Sequence, residues 1–129
     1  MFKEVKKKIY YYDTDCGGVV YYANYLKYLE EARTEYFAAK GLSIKDLAEG
    51  GTMFVVAKVE IDYKLPGRYG DILDVNTWVS KVGGARIEFD AEIKNQNNQV
   101  IVKANTTLVC IGRDFKPKLT PEEIKRLII

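Results

Sequence analysis

The residues best suited to chemistry lie in one short stretch, residues 13–18, where two aspartates and two glycines precede a helical segment. Asp15 offers a carboxylate that can act as a base or a nucleophile. Its neighbouring glycines let a ligand approach the backbone closely, and free N–H groups at a helix start favour developing negative charge. A carboxylate with amide donors can hydrolyse an acyl group. Taken alone, an aspartate before a helix is more often a cap or a turn former.

The chain has no histidine, which excludes several kinds of site. Ser-His-Asp and Cys-His arrangements lack their base, and zinc sites that depend on histidine lack their ligands. Two cysteines cannot form a closed thiolate site, so we expect no metal and no cofactor. Cys16 lies beside Asp15 without a histidine to activate it and is interpreted as a small loop residue rather than a nucleophile. In a reducing compartment, Cys16 and Cys110 are expected to be free thiols.

A strand and a helix are predicted on either side of this stretch. Residues 3–11 are rich in Val, Ile and Tyr and predict the strand. Apolar residues then recur at helical spacing at Tyr25, Leu29, Ala32 and Tyr36, joined by Leu26 and Phe37. Asn24 is the candidate N-cap, and Lys40-Gly41 provides the end of the helix. A short second helix is predicted from Ser43.

From Thr52 onward the period changes to alternation, which predicts four long antiparallel strands with one dry face and one wet face. The residues expected to face the core are Val55, Ala57, Val59, Ile61, Tyr63 and Leu65, then Leu73, Val75, Thr77 and Val79, then Ala85, Ile87, Phe89, Ala91 and Ile93, and then Val100, Val102, Ala104, Leu108 and Cys110. Hairpin turns are predicted at residues 83–84 and 97–98, and a wider turn at 65–67. Thr120-Pro121 predicts the start of a short terminal helix.

This order of elements predicts an α+β fold in which a curved antiparallel sheet of about five strands wraps a long central helix. A cone-shaped sheet of the ketosteroid-isomerase type is the second choice, since that fold usually has more helix before its strands. No linker or internal repeat is found, so residues 1–129 are predicted to form a single domain. The exposed edge strands of such a sheet predict an oligomer.

Composition limits the classes of function and the location. The net charge is only +2, with 29% charged and 47% hydrophobic residues, which argues against nucleic-acid binding. No segment has the apolar length that spans a bilayer, and the N-terminal residues are too polar for a signal peptide. A cytoplasmic protein is therefore expected.

The stretch before the helix also carries a family resemblance. Residues 13–26, with Asp15, Gly18, Val19-Val20-Tyr21 and Asn24-Tyr25, resemble the signature of the hydroxybenzoyl-CoA thioesterases. The run is most similar to their bacterial branch found beside the Tol–Pal genes. Residues 30–35 resemble the family's helix, and residues 54–56 and 63–66 resemble its second strand, so the resemblance spans most of the chain.

The resemblance implies a hotdog fold and hydrolysis of an acyl-CoA, with Asp15 as the catalytic carboxylate and the backbone amide of Tyr22 polarising the carbonyl. Tyr22 stands where that branch usually has histidine. Coenzyme A is then part of the substrate, approached closely at Gly18, with its phosphates near Lys81 and Arg86. Arg68 and Lys58 are weaker candidates for the phosphates. Dimers joined edge to edge, or tetramers, with each active site shared between two chains, are also implied.

Other functions remain open at this stage. The same fold supports hydration of enoyl thioesters, although those enzymes typically use a histidine base. A non-catalytic acyl-CoA-binding protein is the other alternative. Some relatives carry the catalytic carboxylate on the helix, which makes Glu30, Glu31 and Glu35 alternative residues, although exposed glutamates on a helix more often contact solvent or another subunit.

Overall fold

The computed structural model describes residues 3–129, which form five strands and three helices. In chain order these elements are β1 (Lys3–Lys8), α1 (Asn24–Ala39), α2 (Ile44–Glu49), β2 (Met53–Tyr63), β3 (Ile72–Val82), β4 (Arg86–Lys94), β5 (Val100–Ile111) and α3 (Glu122–Ile128). A short 3-10 turn, Tyr11–Asp13, lies between β1 and the loop that carries Asp15.

All five strands belong to one sheet in the order β1-β3-β4-β5-β2, and every neighbouring pair is antiparallel. This confirms the predicted five-stranded antiparallel sheet. Strands β1 and β2 are its two edges. Because β1 pairs with the first half of β3, from Ile72 to Thr77, the loop after β1 lies at the end of the sheet where β3 begins.

The apolar residues of α1 pack on the face of the sheet that the alternation predicted as dry. Tyr25, Tyr28, Leu29 and Ala32 share a core cluster with buried residues of β3, β4 and β5. A second cluster joins the end of α1 to α3 through Tyr36, Phe37, Ile87, Phe89, Leu108, Ile124 and Ile128. The inward residues predicted for β3, β4 and β5 are confirmed, since nearly all of them are buried.

The inward face predicted for β2 is only partly correct. A bulge between Val56 and Lys58 shifts the register against β5, so the strand changes phase at Ala57. Val59 and Ile61 are half-buried as predicted, whereas Val55 and Ala57 are exposed and Phe54 packs on the core in their place. A bulge inserts one unpaired residue, and strict alternation cannot continue through it.

Two boundaries near the candidate site also differ from the prediction. The first strand ends at Lys8 rather than at residue 11, because the Asp13 carboxylate accepts the Tyr10 N–H and draws the chain into the 3-10 turn. Asn24 is not the N-cap but the first residue of α1. Its side-chain amide instead donates to the Asp13 carbonyl, at 2.9 Å.

The remaining predicted turns and helix ends are confirmed. The Ser43 hydroxyl accepts the Asp46 N–H and caps α2, and Gly41, with φ of 80°, follows the end of α1. The turns at residues 83–84 and 97–98 separate β3 from β4 and β4 from β5. Within residues 3–129, no helix combines the length and hydropathy needed to cross a membrane.

Candidate active site

Asp15 lies at the tip of a tight loop that leaves its carboxylate exposed to solvent. The Asp15 N–H donates to the Val19 carbonyl at 2.9 Å, and the Asp15 carbonyl accepts the Gly18 N–H at 3.1 Å. One carboxylate oxygen, Oδ1, also accepts the Gly17 N–H at 2.8 Å. The other carboxylate oxygen makes no hydrogen bond within the described residues and is open to a ligand or a water molecule.

The two glycines are required by the shape of this loop. Gly18 has a φ of 75°, in the left-handed region that other residues rarely adopt. A Cβ at Gly17 would lie 3.3 Å from Oδ1 of Asp15, and one at Gly18 would point into open space. Gly17 therefore leaves room beside the carboxylate, and Gly18 allows the left-handed turn of the backbone.

Asp13, two residues before Asp15, has the opposite surroundings. It is buried, and its carboxylate accepts hydrogen bonds from the Tyr28 hydroxyl at 2.8 Å and the Tyr10 N–H at 2.9 Å. Its carbonyl accepts the Tyr21 N–H at 3.0 Å and the Asn24 side chain at 2.9 Å. Burial, followed by the bond to Asp13, raises the pKa of the Tyr28 hydroxyl well above its usual value.

The residues just before α1 include a backbone N–H without a partner within residues 3–129. Among the described residues, the N–H of Tyr22 has no acceptor, in keeping with its place just before the first helical turn. The N–H groups at this end of a helix carry partial positive charge and favour an anionic oxygen. The Tyr22 ring is exposed and packs against Tyr21 and Tyr63, with ring centroids 5.1 and 6.2 Å apart.

Exposed tyrosines surround this loop, and the sequence indicated only Tyr22 among them as a site residue. They are Tyr10, Tyr11, Tyr12, Tyr21, Tyr22, Tyr63 and Tyr69. Tyr63 arrives at the end of β2, and its hydroxyl donates to the Tyr22 carbonyl at 3.3 Å. The ten tyrosines in the sequence could have indicated a tyrosine-rich site. Only the fold, however, brings Tyr63 and Tyr69 beside the tyrosines of residues 10–22.

Arg68 lies next to the loop that carries Asp15 and Gly18, and its role in binding phosphates stays a prediction. Arg68 pairs with Val19 in an isolated antiparallel bridge, and the neighbouring Gly67 carbonyl accepts the Val20 N–H at 2.8 Å. The Arg68 guanidinium makes no hydrogen bond or ion pair with any residue of the described range, 3–129. It is therefore available to an anionic ligand at this loop.

The other basic candidates lie at the far end of the sheet. Lys81 is nine residues along β3 from Ile72, about 30 Å at the rise of an extended strand. Lys58 and Lys81 stand in one row across the sheet, separated by Thr107 and Glu88, on the face opposite α1. Arg86 lies at the start of β4, at this same end of the sheet. Within one chain the β3–β4 hairpin that carries Lys81 and Arg86 and the loop that carries Asp15 therefore lie at opposite ends of the sheet.

The alternative catalytic residues line a groove to which Asp15 does not contribute. Glu30, Glu31 and Glu35 border this open groove of about 550 Å³ between α1 and β1. Cys16 is exposed beside Asp15 and Cys110 is buried, and both are free thiols as predicted. No group of three or more Cys, Asp or Glu residues in the described part of the chain is arranged to hold a metal ion. The prediction that no cofactor is needed stays a prediction.

Residues 17–102 match the family model described as the thioesterase superfamily. Acyl-CoA thioester hydrolase YbgC of Escherichia coli is 35% identical over 118 residues, covering 91% of this chain and 88% of that protein. Acyl-CoA thioesterase YbgC of Haemophilus influenzae is 39% identical over 120 residues, with coverage of 92% and 88%.

Solved structures give a consistent result. A 1,4-dihydroxy-2-naphthoyl-CoA thioesterase from Synechocystis superposes with a TM-score of 0.91 at 27% identity, covering 99% of this chain and 96% of that one. A DHNA-CoA thioesterase from Staphylococcus aureus has a TM-score of 0.88 at 31% identity, with coverage of 92% and 80%. Both structures therefore have the same overall fold over at least nine-tenths of this chain.

Proposed function

This chain belongs to the thioesterase superfamily and has its hotdog fold, and we propose that it is an acyl-CoA thioesterase that uses Asp15 and the backbone N–H of Tyr22. The single observation that carries the proposal is one tightly bonded segment that leads into α1 and holds both an exposed carboxylate, at Asp15, and a backbone N–H without an acceptor in the described chain, at Tyr22. We also propose that the curved sheet fully encloses α1 and that residues 1–129 form a single domain. The protein is further proposed to be cytoplasmic.

In the proposed reaction, the thioester carbonyl oxygen accepts the N–H of Tyr22, which stabilises the negative charge that develops on that oxygen. Asp15 then acts in one of two ways. As a base, it takes a proton from a water molecule that attacks the carbonyl carbon. As a nucleophile, it attacks the carbon itself and forms an anhydride, which water then hydrolyses. In both cases the C–S bond breaks, the free acid forms, and the coenzyme A thiolate takes up a proton.

In this proposal the enzyme binds its substrate partly through the coenzyme A moiety, and basic side chains are needed to bind the phosphates of that moiety. Arg68 stands beside the Asp15 loop with an uncommitted guanidinium. Lys81 and Arg86 contribute only if a second chain brings the β3–β4 end of its sheet to this loop, since Lys81 is about 30 Å along β3 from Ile72 within one chain. Lys58 stands in the same row of the sheet as Lys81. We therefore propose that each site is shared between two chains of a dimer or a tetramer.

The two sheet edges differ in a way that favours β2 as the edge that pairs. Four of the six residues of β1 are lysines, a composition that blocks edge-to-edge pairing. In contrast, β2 has eleven residues and exposes Val55 and Val56. A second copy on β2 would also cover the Asp15 carboxylate and the Tyr22 ring, which are exposed in one chain. Binding pockets usually bury most of a ligand's surface.

The proposal is tested by release of free thiol from a panel of acyl-CoAs with short, long and aromatic acyl groups. Asp15→Asn should lower kcat by about 10² to 10⁴-fold, because asparagine keeps the loop hydrogen bond but cannot act as a base. Asp114→Asn is the matched control, since Asp114 also accepts an N–H two residues ahead, from Lys116. The control should keep the parent's rate.

The possible outcomes separate the candidate functions. An Asp15→Asn variant within about threefold of the parent would disprove the role of Asp15, because base catalysis alone is worth far more. Glu31 and Glu35 would then be the next candidates for the catalytic carboxylate. Binding of acyl-CoA without thiol release would instead indicate the non-catalytic alternative, and hydration of an enoyl-CoA the hydratase alternative. Single turnover in heavy-oxygen water distinguishes base from nucleophile, since only a nucleophile leaves label in the Asp15 carboxylate.

A further inference from the structure

The buried carboxylate of Asp13 has no part in the proposed reaction, yet it is tied to several segments around the site. It is 6% exposed and has no cation partner among residues 3–129. A buried carboxylate is costly unless its oxygens are hydrogen-bonded. Here Oδ1 accepts from the Tyr28 hydroxyl and Oδ2 from the Tyr10 N–H, so both oxygens have a donor.

We propose that Asp13 and Tyr28 are positioning residues, which together set the spacing between the Asp15 carboxylate and the Tyr22 N–H. This inference rests on the proposed function. Asp13 is bonded to the chain that enters the loop, at Tyr10, and to the chain that leaves it, at Tyr21. Through Asn24 and Tyr28 it is also bonded to the first and second turns of α1.

The link from Asp13 to Asp15 is short and stiff. Thr14, between the two aspartates, pairs with Val20 in an antiparallel bridge, and the Asp15 N–H donates to the Val19 carbonyl. These bonds leave the two-residue connection little freedom to bend. A displacement of Asp13 would therefore move Asp15 with it.

The link from Asp13 to the amide donor is equally direct. The Asp13 carbonyl holds the Tyr21 N–H at 3.0 Å, and the Tyr63 hydroxyl holds the Tyr22 carbonyl at 3.3 Å. The peptide that carries the Tyr22 N–H lies between these two fixed groups. Its direction is thus set by Asp13 on one side and by Tyr63 on the other.

Tyr28 anchors this arrangement to the rigid part of the fold. Its ring is 3% exposed and packs edge-on against Tyr25, with centroids 5.9 Å apart. The Lys7 ammonium lies 5.4 Å from its centroid on the other side. Loss of the Tyr28 hydroxyl leaves one carboxylate oxygen of Asp13 without its donor, and the loop is then held less firmly.

The test compares Tyr28→Phe with Tyr36→Phe on the same helix. Tyr36 is equally buried, and its hydroxyl donates to the Ile128 carbonyl at 2.8 Å, in the cluster at the far end of α1. Both variants lose one buried hydroxyl bond. We expect Tyr28→Phe to lower kcat by about tenfold or more with little change in KM, because small misplacements of reacting groups are costly. Tyr36→Phe should keep the parent's kcat.

A second comparison separates positioning from general destabilisation. In the Asp15→Asn background, the cost of Tyr28→Phe should shrink by about threefold or more, since much of its effect acts through the lost carboxylate. An undiminished cost would overturn the proposal, as would equal kcat values for the parent and Tyr28→Phe. Asp13→Asn should lower kcat further, because its amide offers one acceptor for two donors, and Tyr28→Phe decides the matter where Asp13→Asn does not fold.

The parent enzyme distinguishes this inference from the function on which it rests. If the parent hydrolyses acyl-CoA and Tyr28→Phe matches it, only the positioning role is lost. If the parent releases no thiol from any acyl-CoA, the proposed function fails and this inference fails with it.

Discussion

Two aspartates that stand two residues apart in the sequence have different physical roles. Asp15 is exposed, with one oxygen bonded to the Gly17 N–H and the other open. Asp13 is buried and has both oxygens occupied by donors. A carboxylate with an open oxygen can reach a substrate or a water molecule, whereas one with every oxygen occupied serves the loop. Environment, rather than residue type, therefore separates the proposed catalytic residue from the positioning residue.

The buried tyrosines of α1 predict how stability depends on pH. Burial raises the pKa of the Tyr25, Tyr28 and Tyr36 hydroxyls above the ordinary value of 10.0. Their contribution is complete well below pH 10.0, where the unfolded chain is also protonated. It begins to fall as the unfolded tyrosines ionise around pH 10.0 and is lost as the pH rises toward the raised pKa values of the folded chain. We expect the free energy of unfolding, measured with denaturant, to fall between pH 9 and pH 11.

A comparison of the parent with Tyr28→Phe separates the effect of tyrosine ionisation on stability from that of lysine ionisation, which occurs in the same pH range. The variant should lose less stability than the parent between the two ends of that pH range, since it lacks one of the three hydroxyls. Parallel stability curves for the parent and the variant would contradict the prediction.

At the level of elements, the β3–β4 hairpin and the loop before α1 lie at opposite ends of the sheet. Lys81 and Arg86 belong to the hairpin end, and Asp15 to the other. Changing both cations to alanine should raise KM by about thirtyfold or more and affect kcat much less, because even one charge-assisted hydrogen bond is worth roughly 2 kcal/mol. The effect should diminish at high salt, where charges are screened.

Mixing two variants tests whether the hairpin acts in its own chain or in a partner. In a dimer of one Asp15→Asn chain and one Lys81→Ala/Arg86→Ala chain, a shared site can combine the intact residues of both. Co-expression should then restore low-KM activity to about a quarter of the sites, for random pairing of a symmetric dimer. If the co-expressed variants are no more active than the two variants assayed separately, the active site does not combine Asp15 of one chain with the hairpin of the other.

At the scale of the whole molecule, the exposure of the Asp15 loop makes assembly part of the proposed function. One chain leaves the Asp15 carboxylate and the Tyr22 ring open to water, and it leaves the apolar edge of β2 unpaired. Pairing of two β2 edges would extend the sheet and cover these groups together. Lysines on β1 would keep the opposite edge free of such pairing.

Val56→Lys tests this assembly directly. Val56 is 50% exposed on β2, and a charge there should prevent pairing and give a monomer with greatly reduced thioesterase activity. Light scattering at micromolar concentration measures the oligomeric state. Leu127→Lys on α3, where the leucine is 45% exposed, is the matched control and should leave both assembly and activity unchanged. A fully active monomeric parent would rule out the shared site.

The sequence by itself determined the features that depend on local patterns. The alternation along β3, β4 and β5, the helical spacing from Tyr25 to Phe37 and the turn residues at 83–84 and 97–98 predicted elements that the structure confirms. These signals are local because strand and helix periods follow from backbone geometry. The run around Asp15 likewise indicated the family that the comparisons support.

The tertiary structure alone decided which residues meet. The bulge at Ala57 arises from pairing with β5, so Val55, which was predicted to face the core, is exposed and Phe54 packs on the core. Tyr63, far along the chain, reaches the Tyr22 carbonyl, while Lys81 lies at the wrong end of the sheet to reach Asp15 in one chain. Strand register and long-range packing fix these distances, and neither produces a periodic pattern of residues that could be recognised in the sequence.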